Sequence, residues 1–184
     1  TGSRLWNVQP DLICIAKAIT NGYFPFGATM ISKNLVETFE TNRDGAGEIN
    51  HGYTYSGHPV GAAAALAMLE ELKRNDVATN SSMRGKELAQ GLAKLKELHH
   101  WVGDARGIGL MHALELVSNR TTKTALDKNS MSLVGREIYN NGVMVRISGN
   151  NIILSPPLII TNQHVKHIIE AIGAGLSALT SQHD

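Results

Sequence analysis

Apolar positions along this chain change their period several times. Leu12 to Ala16 is a short, Ile-rich apolar run behind Pro10-Asp11, and it predicts a buried strand. Gly22, Pro25 and Gly27 punctuate a loop, and Ala28 to Ile31 predicts a second strand. Asn34 to Phe39 reads as a short helix, and the polar, Gly-rich stretch Thr41 to Gly47 as a surface loop. HGYTYSGHPVG, residues 51–61, is a Gly/Ser/Pro loop running into the strong helix former AAAALAMLEELKR, with Pro59 in the expected first turn. Leu88, Ala89, Leu92, Leu95 and Leu98 then recur at helical spacing, so Asn80–Leu98 predicts an amphipathic helix capped by Ser81 or Ser82.

Past Val102 the period shortens. MHALELV alternates as a strand does, after Gly107-Ile108-Gly109. Ser132 to Tyr139 reads as a helix stopped by Asn140-Asn141-Gly142. Val143–Ile147 and Ile152–Leu154 predict two strands around a hairpin turn at residues 148–151. Beyond Pro156-Pro157, Thr161 or Asn162 caps a last helix carrying Val165, Ile168, Ile169, Ile172 and Leu176. The expectation is an α/β chain in two parts, residues 1–75 as an α/β layer and 76–184 as a long helix with a compact α+β unit.

Composition narrows the function classes. At 42% hydrophobic and 18% charged, the chain can bury a core, which excludes general disorder. A net charge of +1 carries no nucleic-acid footprint and implies no polyacid partner. No apolar run approaches the roughly 18–20 residues of a membrane-spanning helix. The single cysteine, Cys14, excludes an intrachain disulfide framework and a multi-cysteine metal site, and fits a reducing, cytoplasmic setting. Its place in the first strand predicts a buried apolar residue. Gly103, Gly107 and Gly109 do not form a GxGxxG fingerprint, and His99-His100 lacks the i,i+4 spacing of a helical metal pair.

Three residues carry candidate chemistry. Lys17 follows the first strand, where open α/β sheets bind ligands, although a strand-end lysine is ordinarily a snorkelling surface residue. Thr54 precedes a helix, where hydroxyls and N–H groups cradle phosphate, although a threonine there ordinarily serves a turn. Arg146 closes GVMVR and is by itself an ordinary solvated charge.

Their contexts are more specific. The segments PDLICIAKAITNGYFPFGA, HGYTYSGHP and GVMVRISGNNIILSPPLIIT occur in this order over nearly the whole chain. Together they resemble the class III aminotransferases, fold-type I enzymes that use pyridoxal 5'-phosphate, and within them the omega-amino acid–pyruvate transaminases. The resemblance implies that Lys17 forms the Schiff base with the cofactor aldehyde and then shuttles a proton as an uncharged amine. It implies that Thr54, helped by the backbone N–H of Tyr53, binds the phosphate of the neighbouring subunit's cofactor, which requires a homodimer. It implies that Arg146 pairs with the substrate carboxylate, a task suited to a guanidinium. His58 and His51 receive no chemical step.

In that family a segment ending Gly-Arg-Thr-Gly precedes the lysine strand, and this sequence opens at Thr1-Gly2. The resemblance thus makes these residues the C-terminal portion of a longer protein. The aspartate facing the pyridine nitrogen is expected elsewhere, and the 184 residues alone are expected to be inactive. The implied reaction moves an amino group from an omega-amino acid or amine to pyruvate or a similar keto acid. The alternatives are a non-catalytic aminotransferase-like module, or another enzyme of the same cofactor such as an aminomutase or decarboxylase.

Overall fold

The computed structural model describes residues 2–42, 47 and 49–180. The chain divides into two compact units, residues 1–74 and 75–184.

The first unit opens with a single helical turn, α1 (Gly2–Leu5), followed by β1 (Leu12–Ile15). A 3₁₀ turn (Lys17–Ile19) and a loop lead to β2 (Ala28–Ile31) and α2 (Lys33–Thr41). The two strands pair antiparallel, Leu12 opposite Ile31 and Ile15 opposite Ala28. Ser32 closes the ribbon, its N–H and hydroxyl donating to the Asp11 carbonyl and carboxylate at 2.8 Å each. A two-stranded ribbon covers one face only, so Ile13 and Ile15 are half-buried while Leu12 and Cys14 are exposed. The expected burial of Cys14 is therefore wrong; its Sγ lies 3.6 Å from the Thr29 hydroxyl on the opposite strand. Most of the loop expected at Thr41–Gly47 falls outside the described residues; Thr41 itself ends α2.

Helix α3 (Pro59–Arg74) begins at the predicted proline, which loses no needed hydrogen bond there. His58 sits at its N-cap, its Nδ1 accepting from Val60 N–H at 3.2 Å. Gly61 is buried against Phe24 and Phe26: a Cβ there would stand 2.6 Å from the Phe26 ring.

In the second unit α4 (Val77–Leu98) leads into the hairpin β3 (Val102–Ile108) and β4 (Met111–Asn119). The short β5 (Thr124–Ala125) and α5 (Lys128–Asn140) follow, then the hairpin β6 (Arg146–Ser148) and β7 (Asn151–Leu154), and α6 (Asn162–Thr180). The sheet is antiparallel in the order β3-β4-β7-β6, with β5 alongside β4. Its buried face, with Leu114, Leu116 and Ile152, meets Leu88, Leu92 and Leu95 of α4, Val134 and Ile138 of α5, and Ile172, Leu176 and Leu179 of α6 in one core.

Three expectations need correction. Helix α4 starts earlier than expected, behind Asp76 in a left-handed conformation, so Ser81 and Ser82 lie inside it and cap nothing. Asn80 ties the helix instead to the segment after Pro157, its amide donating to the carbonyls of Leu158 (2.7 Å) and Ile160 (3.0 Å). Residues 143–145 are not strand: Val143 N–H closes α5 by bonding the Ile138 carbonyl at 3.2 Å, beside Gly142 at φ +81°. Arg146 therefore opens β6 instead of ending a longer strand. The strand β3 was not expected at all, because VGDARGI combines two glycines with two charges.

Candidate active site

The loop after β1 is built around a lysine in a costly backbone conformation. Lys17 has φ +53°, a region that non-glycine residues rarely adopt. The turn is held from inside by Thr20, which is buried and donates its hydroxyl to the Phe24 carbonyl at 2.7 Å. Lys17, Thr20, Gly22, Phe24, Pro25 and Phe26 line a hollow of about 250 Å³. The Lys17 amine makes no hydrogen bond or ion pair with any described residue. The amine therefore stands at a left-handed turn, beside the hollow and without an ion-pair partner among the described residues.

The second loop lies against the first within the same unit. The Phe24 ring packs on His58 with centroids 5.0 Å apart, and Tyr55 meets His58 edge-on at 6.1 Å. His58 is thus a helix cap whose ring also contacts the first loop through Phe24. Tyr53 N–H donates to the Ser56 hydroxyl at 3.0 Å in a tight turn. The Thr54 hydroxyl has no partner among the described residues. Of the two donors assigned to a phosphate, one is free and the other is held by a neighbouring, exposed hydroxyl.

Arg146 stands in the other unit, exposed on the open face of the sheet and with no hydrogen-bond or ion-pair partner among the described residues. A second arginine on that face, Arg106, is engaged by three partners. Its Nη1 donates to Glu115 Oε2 (2.7 Å) and Asp104 Oδ2 (3.2 Å), and its Nη2 to Asn151 Oδ1 (2.9 Å). Lys96 bonds Asp104 from α4 at 3.1 Å. Hydrogen bonds from Lys96 and then Arg106 hold the Asp104 carboxyl below the usual carboxylate range, and Glu115 and Asp104 raise Arg106 above its ordinary value. Sequence reading missed this cluster; its one signal was the charge alternation of Asp104, Arg106 and Glu115 in segments that pair.

The family model for class-III aminotransferases matches residues 2–176. The chain belongs to the class-III aminotransferases. It is 32% identical over 179 residues to a probable gamma-aminobutyrate transaminase 4 of Oryza sativa subsp. japonica, covering 96% of this chain and 37% of that protein. It is 35% identical to the putrescine–pyruvate aminotransferase of Pseudomonas aeruginosa, over 91% of this chain and 36% of that protein. An amine transaminase from an uncultivated Pseudomonas species, solved in its PLP-bound form, superposes with a TM-score of 0.88 at 42% identity. That match covers 96% of this chain and 40% of the other. An (S)-enantioselective omega-transaminase from Thermomicrobium roseum superposes at 0.85 with 33% identity, over 97% of this chain and 39% of its own. The fold is that of the fold-type I PLP-dependent transferases, and pyridoxal phosphate is the cofactor this family implies. The chain spans little more than a third of the length of these curated relatives.

Proposed function

We propose that the whole protein is a transaminase that moves an amino group from an omega-amino acid or amine to pyruvate or a similar keto acid. The observation that carries the reading is Lys17: a partnerless amine at a left-handed turn, beside a hollow, in a class-III chain. The names of the relatives, a putrescine–pyruvate aminotransferase and gamma-aminobutyrate transaminases, support the substrate class.

When bound, pyridoxal phosphate supplies an aldehyde that takes up amines and a ring that draws electrons from the adjoining carbon. In this reading Lys17 holds the cofactor, releases it to the substrate amine, and then takes a proton from the substrate carbon and returns it two atoms along, beyond the nitrogen, in a 1,3-shift. An arginine could not do this, since it neither bonds the aldehyde nor gives up its charge. Thr54 and the backbone N–H of Tyr53 hold the phosphate of a neighbouring subunit's cofactor in a homodimer; Tyr53 must exchange its bond to Ser56 for this. Arg146 receives the substrate carboxylate in a bidentate pair. We place the protein in the cytoplasm on its single cysteine, Cys14. The 184 residues alone are inactive, because an amine, a hydroxyl and a guanidinium do not make the whole site.

The test is amino transfer to pyruvate from a panel of diamines, omega-amino acids and simple amines, using the whole protein. Lys17→Ala and Lys17→Arg are both expected to lose turnover by about a thousandfold or more. Wild-type rates in either variant would overturn the assignment.

A further inference from the structure

Strand register brings the two arginines of the second unit onto one row. Arg106 stands opposite Ala113, Ala113 opposite Ile153, and Ile153 opposite Arg146. The next row on the same face reads Asp104, Glu115, Asn151 and Ser148. Residues of the intervening positions, Leu114 and Ile152, are buried on the other face, so these two rows form the sheet's open side. They hold two acids and two cations, and Lys96 adds a third cation from α4.

The pairing is unequal. Lys96, Asp104, Arg106 and Glu115 form a closed set with no net charge, and Arg146 is left out. Glu115 lies two strands and one row from Arg146, about 12 Å between backbones at ordinary strand spacings. Two long side chains span that distance. Arg106 occupies Glu115 with its shortest bond, and Asn151 fixes the guanidinium from the third side.

We propose that Arg106 is a positioning residue for carboxylate recognition: by holding Glu115 and Asp104 it keeps Arg146 unpaired and available to the substrate carboxylate. This rests on the role given to Arg146 above. Without Arg106 the set carries a net negative charge. Glu115 then competes for Arg146 and repels an incoming carboxylate. The groups are partly exposed, with side-chain exposures of 51% for Arg106, 44% for Asp104 and 32% for Glu115, so solvent screens the effect and its expected size is modest.

The experiment compares pyruvate with an aldehyde acceptor lacking a carboxylate, using one amine donor and the whole protein. Arg106→Gln is expected to raise the KM for pyruvate about three- to tenfold while kcat and the aldehyde KM stay within about twofold. Adding Glu115→Gln in that background restores the pyruvate KM, which repair of a packing defect would not do. Arg106→Lys rescues most of the effect, and the penalty shrinks as salt is raised. Lys96→Met removes a cation of the same set without altering the sheet, and shifts the pyruvate KM in the same direction if Arg106→Gln does not fold. Equal effects on both acceptors, or no rescue by Glu115→Gln, would overturn the proposal. Arg146→Ala in the same assay separates the two readings. If it selectively harms pyruvate while Arg106→Gln does not, Arg146 keeps its role and the inference fails; if it affects both acceptors alike, the Arg146 reading has failed and the inference falls with it.

Discussion

At the scale of single residues, Lys17 shares its left-handed backbone with Lys123, at φ +55°, and differs from it in lining a hollow with Thr20, Phe24 and Phe26. A side chain at φ +53° costs of the order of 1–3 kcal/mol, and the buried Thr20–Phe24 bond helps to hold it there. Arg146, like Lys17 and Thr54, has no side-chain partner among the described residues. Its replacement by Ala is expected to raise the KM for pyruvate and for β-amino acids about tenfold or more, with simple amines changed by less than about twofold. Steady-state kinetics on paired charged and uncharged donors check this, and equal losses would refute the pairing. The sequence singles out Lys17, Thr54 and Arg146 because each sits in a segment of distinctive order, and their roles stand as proposals. The left-handed turn at Lys17 was not legible, since the loop's tertiary contacts set it. Nor was the engagement of Arg106, whose partners come from β3, β4 and β7 and meet only through register.

At the scale of elements, periodicity identified the helices and most strands, and failed where local chemistry overrode it. The segment VGDARGI is a strand because β4 pairs with it, and a Cβ on Gly103 would stand 2.8 Å from a Val117 methyl of that strand. Gly85 of α4 meets the backbone of Gly109 at the tip of that hairpin: a Cβ on Gly85 would stand 2.1 Å from the Gly109 carbonyl oxygen. Alanine is the better helix former by about 1 kcal/mol, yet Gly85→Ala is expected to destabilise this unit by about 2–4 kcal/mol. Urea unfolding followed by circular dichroism reads the sign directly; a stabilised variant would contradict the packing. Helix α5 began four residues before its apolar pattern because Asp127 caps it. The carboxylate accepts from the Ser130 hydroxyl (2.6 Å) and from the N–H groups of Asn129 (2.9 Å) and Ser130 (3.1 Å). These bonds, the Ser130 hydroxyl first, hold its carboxyl below the usual range in the folded state. The cap therefore stabilises fully above the unfolded carboxylate value, about pH 4, and is lost as pH falls through the lower folded value. Asp127→Ala should lower the melting temperature at pH 7, and its deficit should shrink at the acid end, whereas a deficit constant with pH would exclude the charged cap.

At the scale of the whole molecule, the chain forms two compact units, and the relatives it matches are more than twice as long. Among the described residues no helix is long and apolar enough to cross a membrane. Fold class and family were legible from three segments in the right order, while the donor amine was not, since the roles proposed for the residues here concern groups common to many donors. The central claim is that Lys17 is the lysine that holds the cofactor. Borohydride reduction of the whole protein loaded with pyridoxal phosphate, followed by peptide mapping by mass spectrometry, tests it without reference to activity. The account predicts the phosphopyridoxyl mass on the peptide containing Lys17, and its loss in Lys17→Ala. A label on another lysine, or an unlabelled Lys17 in a fully loaded protein, would contradict it.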